Sequence, residues 1–309
     1  MTTDPSERFR GVFPAIATPF APDGSIDHDQ LRADARRLER AGVDGVVPAG
    51  STGESATMTH DEHVEVIETV VDAVDLPVVA GTGSNNTDEA LSLSRRAADA
   101  GADGLLLISP YYNRPEPAGM EAHYRAVADA VDLPQIVYNV PGRTGRSIDV
   151  ETTVSLASHP NVAGYKAASG DLGLISEVVE RTRDEAFAVL SGDDALTLPV
   201  LSVGGVGTIS VVANVEPERT SHLVWSALEN DVATAREHHH ALGPLVRQLF
   251  VETNPVPVKE ALAERGHHDE PVFRSPLSRL SERHRPALRR TLEALDENRP
   301  EPVPAERRR

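Results

Sequence analysis

The sequence predicts an α/β chain built as a (β/α)8, or TIM, barrel with an appended C-terminal helical region. Three observations carry that expectation. Short continuous apolar runs recur about every 25 to 30 residues, amphipathic helical stretches alternate with them, and part of the pattern is an internal repeat. Continuous runs alternating with such helices describe a parallel sheet covered on its outer side, and eight of them fit a barrel better than an open doubly wound sheet.

The eight runs lie near 12–17, 45–49, 77–80, 104–108, 135–138, 162–166, 187–190 and 206–210. Ala41-Gly42-Val43-Asp44-Gly45 leads into the second run, and Ala100-Gly101-Ala102-Asp103-Gly104 leads into the fourth in the same way. The six residues Asp72–Pro77 recur at Asp129–Pro134, each time just before a run. Helical stretches such as Asp61–Ala73 and Thr87–Ala100 follow the strands. After about residue 215 strand signals stop, and 217–229, 231–250, 255–266 and 276–296 read as helices. The expected division is an N-terminal segment at 1–10, a barrel at 11–230, a C-terminal helical region at 231–297 and a tail at 298–309. The prolines and terminal arginines of the tail predict disorder.

Composition removes several function classes. The chain of 309 residues has no cysteine, which excludes disulfides, thiolate metal sites and cysteine nucleophiles. Residues 1–10 are polar and no stretch approaches the apolar length of a membrane span, so a cytoplasmic enzyme is expected. A net charge of −18 argues against nucleic acid and anionic membranes as partners. That acidity, with only two lysines among 30 basic residues, points to adaptation to high salt, where self-repulsion of the carboxylates is screened. Activity and melting temperature are therefore expected to rise with KCl into the molar range. A flat or falling response would remove that reading.

Barrel enzymes place their chemistry at the carboxyl ends of the strands. Lys166 ends the sixth run, Val162-Ala163-Gly164-Tyr165-Lys166. If that strand is buried, desolvation lowers the lysine pKa toward neutrality and frees an amine that can form a Schiff base with a ketone. The competing structural reading is a strand-end lysine reaching solvent. Tyr138 is placed to donate and accept the protons of that reaction. Ser51 and Thr52, with adjacent backbone amides, offer a carboxylate site, and Arg143 offers a two-pronged site for a second carboxylate. Lys259, in the first turn of a helix, is expected to be structural. Gly81-Thr82-Gly83 lacks the third glycine of a dinucleotide loop, and the histidine pairs do not have zinc-protease spacing. No cofactor and no metal are expected.

The motifs Gly50-Ser51-Thr52-Gly53-Glu54-Ser55, Tyr111-Tyr112-Asn113-Arg114-Pro115, Tyr138-Asn139-Val140-Pro141-Gly142-Arg143 and Leu190-Ser191-Gly192-Asp193-Asp194, in this order, carry a resemblance. From about Gly11 onward the chain resembles the class I pyruvate-dependent aldolase/lyase family, which includes N-acetylneuraminate lyase, and most closely its lysine-biosynthetic synthases. The resemblance implies condensation of pyruvate with L-aspartate 4-semialdehyde, feeding lysine or diaminopimelate synthesis. Lys166 would form the imine, and Tyr138, Ser51 and Tyr112 a proton relay, with Tyr112 supplied by the neighbouring subunit of a dimer or tetramer. Thr52, Gly192 and the backbone near Ile209 would hold pyruvate, and Arg143 the carboxylate of the semialdehyde. Ser55, His60, His63, Asn85, Glu89 and Tyr111 match a lysine effector site of the family.

Two residues depart from the synthase pattern. Ser51 stands where the synthases commonly have threonine, and Ala167 where many members have glutamate. Serine is also what the sugar-acid lyases use, so a 2-keto-3-deoxy sugar-acid aldolase is the alternative. Arg143, which those lyases lack, favours the short acidic aldehyde. A catalytically silent barrel that binds pyruvate or an amino acid is the rival from another class, and borohydride reduction with pyruvate separates it from the enzymes.

Overall fold

The computed structural model describes residues 8–297, 299–304 and 306. Seven parallel strands form one sheet: β1 (Gly11–Pro14), β2 (Val79–Gly81), β3 (Gly104–Ile108), β4 (Gln135–Asn139), β5 (Val162–Ala167), β6 (Ala188–Ser191) and β7 (Gly207–Ser210). Their order is β1-β7-β6-β5-β4-β3-β2. Seven of the eight expected runs thus contain a strand.

The run at 45–49 is the exception, and the expectation of eight regular strands is corrected there. This segment lies between the edge strands β1 and β2 and bonds to residues on both sides. Val47 N donates to Pro14 O and Ile16 N to Val47 O, while Val46 N donates to Pro77 O and Val79 N to Val46 O. The result is two isolated parallel bridges, Ala15–Val47 and Val46–Val78. Pro48 has no N–H to donate, which stops a regular ladder from continuing.

Among the described residues the first six helices are α1 (His28–Arg40), α2 (His60–Val71), α3 (Thr87–Asp99), α4 (Pro117–Ala130), α5 (Pro141–Thr144) and α6 (Val150–Ala157). They are followed by α7 (Leu172–Thr182), α8 (Thr197–Ser202), α9 (Pro217–Leu228), α10 (Val232–Leu249), α11 (Val256–Glu264) and α12 (Arg285–Asp296). Side chains of Asp27, Thr59, Asn86, Asp149, Asp171 and Asp231 accept the first free N–H groups of their helices, which fixes where each begins. The helix expected over 276–296 begins only at Arg285. Pro286 sits in its first turn, where a missing N–H costs nothing; deeper in a helix it would break it.

The internal repeat has a structural meaning. Gly42 and Gly101 follow α1 and α3 with φ of 80° and 89°, the left-handed conformation that ends a helix and favours glycine. The aspartates two residues on then tie the next segment to the preceding strand. Asp44 Oδ2 accepts from Val12 N at 2.8 Å, and Asp103 Oδ2 from Val78 N at 3.0 Å.

The core has three parts. Phe13, Val47, Leu106, Ile136, Leu190 and Ile209 pack on the inner face of the curled sheet. A larger cluster fills the space between its outer face and the helices. A third joins α9 to α12 against the segment after β7. Part of the tail expected to be disordered packs on this body: Val303 is buried, and His222 Nε2 lies 2.8 Å from the Glu301 carbonyl. Residues 1–7 of the N-terminal segment and 298, 305 and 307–309 of the tail lie outside the described residues. No described helix is long and apolar enough to cross a membrane.

Candidate active site

A β-bulge aims the candidate nucleophile. In the β4–β5 register Val162 faces Gln135 and Gly164 faces Ile136, so β5 holds one extra residue there. Ala163 belongs to the inner cluster, whereas Val162, Tyr165 and Ala167 pack outward against the helices. Strict alternation from Ala163 would turn Tyr165 inward and Lys166 outward. The extra residue reverses the phase, and Lys166 faces the inner cavity. Glycine is needed at the bulge, because a Cβ on Gly164 would lie 2.7 Å from the Ala188 carbonyl oxygen.

Lys166 is 6% exposed. Burial pulls its amine down to about 7, opposed by the nearby Asp194 carboxylate and assisted by the Arg143 guanidinium. Its Nζ sits 4.1 Å from the centroid of the Tyr138 ring, on the strand position directly opposite. Burial pushes the Tyr138 phenol up to about 12, so it holds its proton at neutral pH and can donate it. Gly192 gives the lysine its room: a Cβ there would come within 2.8 Å of Lys166 Cγ and 2.9 Å of Cε. Asp194 is itself anchored. Its carboxylate accepts from Ser210 Oγ at 2.5 Å, Val211 N at 3.0 Å and Val212 N at 3.1 Å.

A cavity of about 520 Å³ opens over Lys166 and is lined also by Ser51, Thr52, Tyr138, Arg143 and Gly192. Six of the eight expected catalytic and substrate-binding residues therefore meet around one space. Asn254 organises two of them, because its Nδ2 donates to Thr52 Oγ1 at 2.9 Å while its carbonyl accepts from Arg143 Nη2 at 2.9 Å. Ile209 is buried in the apolar layer with Tyr138 and Leu190, not on the cavity wall. Tyr112 is 87% exposed, has a φ of 69° and lines neither this cavity nor its neighbour.

The neighbouring cavity, of about 650 Å³, is lined by Ser55, His60, His63, Glu89 and Tyr111; Asn85 is absent from its wall. Gly50, Ser51, Leu106, Tyr138, Arg143 and Asn254 line both spaces. Burial lowers the His63 pKa, and its Nε2 lies 2.5 Å from the Gly81 carbonyl, so the neutral ring donates there. Glu89 accepts from Ser84 Oγ at 2.7 Å.

Sequence reasoning missed Asn254, Val246 and Phe250, which reach the Lys166 cavity from the C-terminal region. The one available signal was Asn254-Pro255, a turn-forming pair directly after a helix. Lys259 is structural, as expected. It is buried beneath the motif loop, where Nζ donates to Glu54 Oε1 at 2.6 Å and to the Val272 carbonyl at 2.5 Å.

The model of the dihydrodipicolinate synthetase family matches residues 8–295. A protein named 4-hydroxy-tetrahydrodipicolinate synthase from Natronomonas pharaonis is 67% identical over 291 residues, covering 94% of this chain and 99% of the relative. A protein of the same name from Haloarcula marismortui is 65% identical over 289 residues, covering 93% and 94%. Both organisms are halophilic archaea. A solved structure described as DHDPS from Cyanidioschyzon merolae with lysine bound superposes with a TM-score of 0.90 at 38% identity, covering 94% of this chain and 99% of that one.

Proposed function

Because the chain belongs to the dihydrodipicolinate synthetase family, we propose that Lys166 carries its reaction, the condensation of pyruvate with L-aspartate 4-semialdehyde to 4-hydroxy-tetrahydrodipicolinate. The chain is a lyase of lysine and diaminopimelate biosynthesis. The observation that carries the assignment of Lys166 is a buried amine with a pKa of about 7, facing a tyrosine in a cavity whose wall also holds Arg143.

The neutral amine adds to the ketone carbon of pyruvate, and the carbinolamine loses water to give an imine. Tyr138 supplies the proton that lets hydroxide leave as water and recovers one through Ser51. Loss of a methyl proton to the Tyr138–Ser51 relay converts the imine to an enamine, whose terminal carbon attacks the aldehyde as the relay protonates the new alkoxide. The semialdehyde's own amine then adds to the imine carbon and displaces the Lys166 amine, closing the ring. Thr52 and the amides beside Gly192 and Ile209 hold the pyruvate carboxylate, and Arg143 holds that of the semialdehyde. Tyr112, exposed on one chain, completes the relay in the site of a second copy, within a homodimer or homotetramer.

Several coarser observations support finer readings. The bonds from Val46 and Val47 to both edges support a closed (β/α)8 barrel over 11–230, with 231–297 as an appended helical region. The protein works in the cytoplasm. The second cavity takes L-lysine as an inhibitor, with Ser55, His60, His63, Glu89 and Tyr111 on its wall as the receptor and Asn85 contributing from outside that wall. Its wall is shared with the catalytic cavity at Ser51, Tyr138 and Arg143, which gives the effector a physical route to the chemistry.

The test is pyruvate consumption in about 2 M KCl with aspartate 4-semialdehyde and 2-keto-3-deoxygluconate offered in parallel. Consumption with the semialdehyde, abolished in Lys166→Ala, is expected; cleavage of the sugar acid alone would overturn the substrate assignment. Millimolar L-lysine should inhibit partially, and Glu89→Ala should lose that inhibition.

A further inference from the structure

The C-terminal turn of α10 forms one wall of the Lys166 cavity, through Val246, Arg247 and Phe250. Arg247 is exposed, and among the described residues it has no ion pair and no hydrogen bond. Arg40, Arg95, Arg236 and Arg290 are likewise exposed without such partners, but none of them lines the Lys166 cavity, so its position on that wall sets Arg247 apart. A cation at a helix C-terminus is favoured by the helix dipole, which explains a basic residue in that turn. It does not explain why the side chain borders the reaction space that Arg143 also lines.

Arg143 and Arg247 are the two guanidiniums on the wall of this cavity. Arg143 is tethered by the Asn254 carbonyl, which sets its direction and leaves its remaining donors free. A carboxylate accepts at about four lone-pair sites and can be gripped by two guanidiniums at once. In molar salt a charge acts over only about 3 Å, so an acidic protein that must capture a carboxylate needs cations at the point of contact. We propose that Arg247 is a second carboxylate-binding residue for the aldehyde substrate, closing on the carboxylate that Arg143 orients. This rests on the assignment of the semialdehyde as substrate. It makes the C-terminal region part of substrate recognition.

The experiment compares wild type with Arg247→Ala, Arg247→Lys and Arg247→Glu in about 2 M KCl. It reads KM for each substrate, and separately the borohydride-trapped pyruvate adduct by mass. The expected result is a roughly tenfold or greater rise in KM for the semialdehyde in Arg247→Ala, as for loss of one charge-assisted hydrogen bond. Arg247→Glu should rise further and Arg247→Lys recover part, with pyruvate KM and the trapped adduct as in wild type. An Arg247→Ala enzyme with wild-type KM for the semialdehyde overturns the proposal and leaves Arg247 as a helix-end cation. So does an equal rise in both KM values, which would mark a general disturbance of the cavity. A wild-type chain that traps pyruvate but does not consume the semialdehyde overturns the substrate assignment, and this inference with it.

Discussion

Lys166 and Tyr138 occupy facing positions on β5 and β4, and the amine nitrogen lies 4.1 Å from the centre of the phenol ring. The two groups are perturbed in the directions their proposed tasks require. Burial strips the proton from the lysine near neutrality and holds the proton on the tyrosine up to about 12. Over the interval between those values the pair is an amine without its extra proton beside a phenol with one, which is the state that opens carbinolamine formation.

Adduct formation with pyruvate should therefore depend on pH through the lysine. Below about 7 the amine is protonated and addition slows in proportion to the fraction neutral; above it the rate reaches a plateau. Initial rates of borohydride-trapped adduct from pH 5.5 to 9 check this, and a midpoint near 10 would show that the lysine is not desolvated in solution.

Replacing the proposed nucleophile should stabilise the fold. The folded pKa of Lys166 lies below its unfolded value, so the folded state binds the proton less well than the unfolded chain does. The resulting deficit is full below pH 7 and fades as pH rises toward 10.5. Lys166→Met should be inactive yet more stable than wild type by on the order of a few kcal/mol at pH 6, with the advantage shrinking by pH 9.5. Chemical denaturation of both proteins at the two pH values measures it.

The bulge at Gly164 should be intolerant of a side chain. Gly164→Ala places a carbon against the Ala188 carbonyl, and relief requires the strand to shift where its phase is set. A loss of about 1 to 3 kcal/mol is expected, with a fall in adduct yield under conditions where the variant is still folded. Unchanged trapping in a folded variant would mean the phase of β5 does not depend on this glycine.

Lys259 and Glu54 are 1% and 0% exposed at their side chains, and their pairing ties α11 to the loop that carries Ser51 and Thr52. Lys259→Met leaves a buried carboxylate without its cation and should cost about 3 to 5 kcal/mol. The double replacement Lys259→Met with Glu54→Leu removes both charges and should recover much of that loss. A double-mutant cycle in urea gives the coupling, and additive losses would show that the pair is not coupled.

Much of this architecture was legible because strand and loop signals agreed. Seven apolar runs contain strands, and Tyr138, Lys166 and Gly192, at or just past the carboxyl ends of three of them, meet around one cavity. The second run misled because apolar content does not report hydrogen-bond capacity, and Pro48 cannot extend a ladder. The bulge was hidden because Val162-Ala163-Gly164-Tyr165 is apolar or small throughout, so there is no alternation from which a phase slip could be read. The late start of α12 was readable from Pro286. The wall supplied by α10 was not, because nothing in a helix sequence states which distant strand its end will meet. Tyr112 and Ile209 show the same limit. Neither lines the cavity of a single chain, although Tyr112 belongs to a motif that points to it and Ile209 was expected at the pyruvate site.

Both lysines of this chain are buried, one beside a reaction space and one locked to a carboxylate. Apart from the α-amine at the start of the chain, the folded protein therefore offers amine-directed reagents no solvent-facing target. Coupling chemistries that decorate ordinary proteins at many places should find here a single reachable lysine side chain, on the wall of the Lys166 cavity. Small aldehydes and active esters become probes of whether that cavity is open, and pyruvate should protect it. Conventional lysine crosslinkers, conversely, should be nearly blind to the contacts of the proposed homo-oligomer.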